Sequence, residues 1–141
     1  MSVESNQVVA RRFVEEIFNK KNLLLVNQFM DPNSVMHMTM GDFKGLEGFK
    51  QFFNPFLTAF PDMRIVNDDE MAAGDKVMFR QTVTGTHTGS FMGIPPTGKK
   101  FAFQEIVVNR FAGGKVVESW GVADLLGLMQ QLGLAPPMGQ K

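Results

Sequence analysis

The chain reads as an α+β domain, and three observations carry that reading. Apolar residues recur at helical spacing in most of the first sixty positions, one strand-like stretch at 34–40 apart; the period then becomes two, and the strand-like runs that follow are joined by turn-length separators. A last helical stretch closes the chain. Helices gathered early and strands late predict a curved antiparallel sheet with helices packed on its concave face, enclosing a conical pocket.

The elements follow in order. Val9, Phe13, Ile17 and Phe18 mark a first helix, which Ser5 could cap and which ends near Asn19 and Lys20. A short second helix, about Leu23 to Phe29, is stopped by Asp31-Pro32. Ser34 to Met40 reads as a strand ending at Gly41-Asp42. Phe49, Phe52, Phe53, Phe56, Leu57 and Phe60 form the aromatic face of a helix over 46–60, with Pro55 predicting a kink or break near Asn54. Four strands are expected at Met63–Met71, Lys76–His87, Lys100–Phe111 and Lys115–Val122, and the Gly113-Gly114 pair between the last two signals a hairpin. Short connections require antiparallel pairing. Leu125, Leu128, Met129 and Leu132 give the final helix, and "APPMGQK" reads as a loose tail.

Composition narrows the function. With 141 residues the chain has the length of one domain, 1–141, with a core at about 8–135 and a tail over 135–141. Fourteen basic residues balance fourteen acidic ones, so no nucleic-acid footprint is expected. The absence of cysteine excludes disulfides, thiol nucleophiles and cysteine-based zinc sites. The start lacks the pattern of a secretory signal and no run has the length of a membrane span, so a cytoplasmic protein with no membrane partner is expected. Fourteen Phe and eleven Met, with no Tyr, suit a greasy cavity as well as a core.

No phosphate loop, nucleophile elbow or metal-ligand spacing occurs, which leaves proton transfer by carboxyl and imidazole groups. Asp124 stands between the last strand and the last helix, and alternation puts it on one side with Trp120 and Val122. It is either a helix cap or a carboxyl held at a cavity mouth with a raised pKa. His37 lies mid-strand, as a structural or a site residue, and His87 stands at a strand end among glycines, fixing a turn or serving a site. Gln104 and Arg110, among apolar neighbours, must find partners or line a wet cavity.

Several short motifs complete the reading: Ala59-Phe60-Pro61-Asp62, Gly74-Asp75, Gly85-Thr86-His87-Thr88-Gly89, Pro95-Pro96-Thr97-Gly98 and Asn109-Arg110-Phe111. With Gly114-Lys115, Trp120, Asp124 and Gln131-Leu132-Gly133 they make the chain, over about residues 8–135, resemble the SnoaL-like polyketide cyclases, or ester cyclases, of the nuclear transport factor 2-like superfamily. The resemblance implies an α+β cone and an intramolecular aldol cyclisation without cofactor or metal. It implies Asp124 as general acid/base and a pocket role for His37. A hydrophobic, carbonyl-containing small molecule is then the expected substrate. Phe53, Phe56 and Trp120 would hold it, and His87, Gln104 and Arg110 would bind an oxygen that gains charge. The rival readings are a hydrophobic-ligand carrier and an association domain. A homodimer is expected through the outer sheet surface, because both strand faces carry apolar residues.

Overall fold

A computed structural model describes residues 2–136. Most of the expected tail, from 137 onward, lies outside the described residues. The elements are α1 (Val3–Phe13), α2 (Val26–Phe29), β1 (Met30–Met38), β2 (Gly41–Lys44), α3 (Gly45–Ala59), β3 (Arg64–Ala73), β4 (Lys76–Thr86), β5 (Lys100–Ala112), β6 (Lys115–Ala123) and α4 (Leu125–Gln131). No helix among the described residues is long and apolar enough to cross a membrane.

The strands make one sheet in the order β2-β1-β6-β5-β4-β3. The late strands match the sequence reading closely, because their turns are written in glycine. Gly113 and Gly114 both adopt positive φ (59° and 79°), which a tight hairpin between right-twisted strands requires.

The early part differs in four respects. The first helix is capped by Ser2, whose side chain accepts from the Ser5 N–H, and it continues as a π-helical turn over Val14–Asn19. Asp31-Pro32 does not end a helix but lies inside β1, where the pairing with β6 is irregular between Met30 and Val35, so no ladder bond is asked of the proline. Helix α3 runs through Pro55. The carbonyl left without its donor belongs to the exposed Gln51, where water can satisfy it. A further strand, β2, turns back on β1.

The expectation of a wholly antiparallel sheet is also corrected: β1 runs parallel to β6, and the other pairings are antiparallel. More than half of the chain, residues 39–114, separates β1 from β6, so no short turn fixes their relative direction.

Alternation gives the sheet two distinct faces. The inner face carries Val77, Phe79 and Val83 of β4 and Phe101, Phe103 and Phe111 of β5, all buried. Phe49, Phe53 and Phe56 of α3 and Phe13 of α1 pack over it. Their rings interlock, with Phe18 edge-on to Phe53 at 4.8 Å and Phe60 edge-on to Phe101 at 4.6 Å.

The outer face carries a strap across four strands. His37 of β1 places Nδ1 3.0 Å from Asp42 of β2 and Nε2 2.9 Å from Glu118 of β6. Glu118 in turn accepts from Arg110 of β5 at 3.1 Å. Both ring nitrogens can donate to carboxylates only in the imidazolium, so Glu118 first and Asp42 second raise the His37 pKa above its ordinary value. With the folded value raised, the strap's contribution is complete below the unfolded pKa of about 6.5 and is lost as pH rises through the folded one. A histidine-resolved NMR titration is therefore expected to place His37 above the free value, and Glu118→Gln to bring it back down. A His37 midpoint unchanged by Glu118→Gln would contradict the strap.

Candidate active site

Between the helices and the inner face lies a cavity that opens to solvent at one side. Its walls are Phe and Met side chains from α1, α3, β1 and the loop before β3, among them Phe18, Phe53, Phe56, Met36, Met38 and Met63. The polar exceptions are few: Thr39, Gln81, Glu105, Asn109 and Ser119. No lysine, arginine or histidine lines it among the described residues.

Glu105 sits mid-strand on β5, flanked in register by Gln81 of β4 and Ala123 of β6. It falls in the row Phe101, Phe103, Glu105, Val107, Asn109, Phe111, so strand period alone drives its carboxyl inward. Burial raises its pKa to about 7, with no charge opposing the shift. Near neutral pH such a group is divided between acid and base, which is the condition for moving protons in both directions.

Its polar neighbours are fixed by cross-strand bonds. Gln81 Nε2 donates to Asn67 Oδ1 of β3 at 2.8 Å, and Ser119 Oγ donates to Asn109 Oδ1 at 2.7 Å. At the rim, Thr39 Oγ1 accepts from the Ala123 N–H at 2.9 Å. No group of three His, Asp or Glu residues among those described is placed to hold a metal ion.

The residues expected from sequence are scattered. Phe53 and Phe56 line the cavity. Asp124 does not: it is exposed, and its Oδ1 accepts from the Gly127 N–H at 2.9 Å, capping α4. The expectation that its carboxyl faces the pocket is corrected. Alternation does place Asp124 with Trp120 and Val122, but that side of β6 is the outer one.

His37, Gln104, Arg110 and Trp120 are on the same outer face. There His37 stacks on Trp120 at 5.8 Å, and Lys76 lies over the indole at 5.9 Å. Gln104 is exposed. His87 is fully buried away from the cavity. Its Nδ1 accepts from the Thr97 N–H at 3.2 Å, and its backbone bonds to Lys99 and Gly98 pin the loop after β4. Glu105 is not among the residues expected from sequence, although a lone acid in a Phe-Val alternation is a readable signal.

The comparisons agree with this architecture. Residues 8–132 match the family model described as SnoaL-like polyketide cyclase. The aklanonic acid methyl ester cyclase DnrD of Streptomyces peucetius is 26% identical over 107 residues, 75% of this chain and 72% of that protein. Among solved structures, AclR of Streptomyces galilaeus superposes with a TM-score of 0.87 at 29% identity, covering 99% of this chain and 91% of its own. IdmH of Streptomyces antibioticus does so with 0.81 at 30% identity, covering 91% and 98%. A match running through nearly every element, including both strands that frame Glu105, establishes that the chain belongs to the SnoaL-like polyketide cyclase family.

Proposed function

We propose that this protein is a cyclase acting on a hydrophobic, carbonyl-containing small molecule, with Glu105 as the group that moves the proton. One observation supports this above the others: among the described residues one carboxyl, its pKa raised to about 7 by burial, lines a cavity walled mainly by Phe and Met side chains. In the aldol step, the Glu105 carboxylate takes a proton from the carbon next to one carbonyl. The resulting enolate forms a carbon–carbon bond to a second carbonyl of the same molecule. The alkoxide left there recovers the proton from Glu105, so the enzyme ends unchanged. Gln81 and Asn109 supply neutral amides for an oxygen that gains charge, and the Phe and Met walls exclude water. In this reading Asp124 caps α4 rather than performing the chemistry, and the reaction takes place in the cytoplasm. A carrier of apolar ligands is the second reading, supported by the near absence of polar lining.

The relative that cyclises aklanonic acid methyl ester suggests the first compound to assay, by chromatography and mass spectrometry. Glu105→Gln keeps the shape and removes the titrating proton, so turnover is expected to fall by at least about a hundredfold. Asp124→Asn should leave turnover near wild type, while Asp124→Ala costs about 1 kcal/mol of stability through the lost cap. The reverse pattern would restore the aspartate as the acid/base. Binding without turnover of the compound would favour the carrier.

Stability offers an independent check. The folded pKa of Glu105 lies above the ordinary glutamate value of 4.5, so the folded state holds its proton after the unfolded chain has released it. Stability should therefore fall as pH rises from about 4.5 to about 7, by up to about 3 kcal/mol, and level off above that. Denaturant titrations of Glu105→Gln should lack this fall and show a more stable protein at pH 8.

We further infer a symmetric homodimer through the outer sheet face, where Val122 is 73%, Met71 64% and Ile106 48% exposed beside Trp120. Light scattering at micromolar concentration should give twice the chain mass, and Val122→Lys should return it to one. A monomeric wild type would reject this assembly.

A further inference from the structure

The inner side of β6 is bare, carrying only Ser119, Gly121 and Ala123 in the cavity wall. A glycine inside a strand weakens it and often marks a place where another group comes close to the backbone. Gly121 needs no unusual conformation, since it is not among the glycines with positive φ, so what it supplies is space. A Cβ at Gly121 would lie 2.6 Å from Sδ of Met38 and 3.4 Å from its Cε. The thioether of Met38 therefore rests directly on the backbone of β6.

This contact stands beside the proposed reacting group. Gly121 pairs with Val107, and the next inner position, Ala123, pairs with Glu105, so Gly121 and Glu105 are diagonal neighbours. Diagonal positions on an antiparallel pair are about 7–8 Å apart. A flat ring lying on Gly121 would point its edge at the carboxyl. Methionine suits a temporary occupant, because its three rotatable bonds let the tip leave at little cost and its sulfur packs well on aromatic rings.

We propose that Met38 and Gly121 form a displaceable ring seat. In the free protein the Met38 thioether fills the place that a planar ring of the substrate takes when bound, and Met38 sets how large a ring system the cavity accepts. The inference rests on the cavity being the substrate site.

The test uses 1-aminoanthracene, a neutral three-ring probe whose fluorescence reports binding, together with [methyl-13C]methionine NMR. On adding the probe to wild type, the Met38 methyl signal, assigned through Met38→Ala, should shift by ring current. Gly121→Ala should push the thioether into the cavity and weaken probe binding by about tenfold. Met38→Ala should strengthen binding, and the double variant should bind at least as well as wild type. Equal affinity in all four proteins, or the same loss from Gly121→Ala with Met38 already removed, overturns the seat. Should Gly121→Ala not fold, unchanged affinity in Met38→Ala with an unmoved Met38 methyl in wild type overturns it equally. A wild type that binds no probe at all overturns instead the reading of the cavity as a ligand site.

Discussion

The contact between the phenylalanine face of α3 and the inner face of the sheet is the constraint on which the rest depends. Phe49 and Phe53 are almost wholly removed from water, and Phe56 and Phe60 continue the row to Phe91 and Phe101. Burying such rings stabilises the fold by roughly 2–3 kcal/mol each. It also gives the sheet a dry side and a wet side. Because strand period is two, every inner residue of β4, β5 and β6 is then committed to the dry side, whatever its chemistry. Glu105 is carried inward by the same alternation that buries Phe103 and Phe111.

The fold was legible where local chemistry decides it. Turn glycines and alternating runs mark β3 to β6 to within one or two residues, and the apolar spacing marks α1, α3 and α4. What escaped is governed by contacts between distant parts of the chain. The parallel pairing of β1 with β6 brings Met36 beside Ser119, and no local signal announces it. The segment Gly41–Lys44 is too short and too polar to show a period, and it becomes a strand only because β1 offers it an edge. Pro55 is tolerated because its missing hydrogen bond falls on the solvent side of α3.

The site was less legible, for one physical reason: alternation tells which residues share a face but not which face is covered. On β6 the row with indole and valine, Trp120 and Val122, looks like the core row, yet it is the outer one. The covered row is Ser119, Gly121 and Ala123, small because the phenylalanines and methionines of other elements fill the space above it. Once that face is inverted, Asp124, His37, Gln104 and Arg110 leave the pocket together. On β5 the ambiguity does not arise, since the inner row holds three phenylalanines, and that row contains Glu105.

The acids of this protein divide according to what surrounds them. Glu70 is held low by Arg11, Glu118 by His37 and Arg110, and Asp62, despite burial that pushes the other way, by bonds from Thr86. Each has a partner that favours the ionised form, so each is consistent with a purely structural role. Glu105 differs in kind: its only perturbation is desolvation, which costs the fold stability at neutral pH. A structural account leaves that cost unexplained. The proposed reaction, which removes a proton from carbon and later returns it to oxygen, would account for it, because the same desolvation brings the pKa of the carboxyl to the pH at which both forms are present.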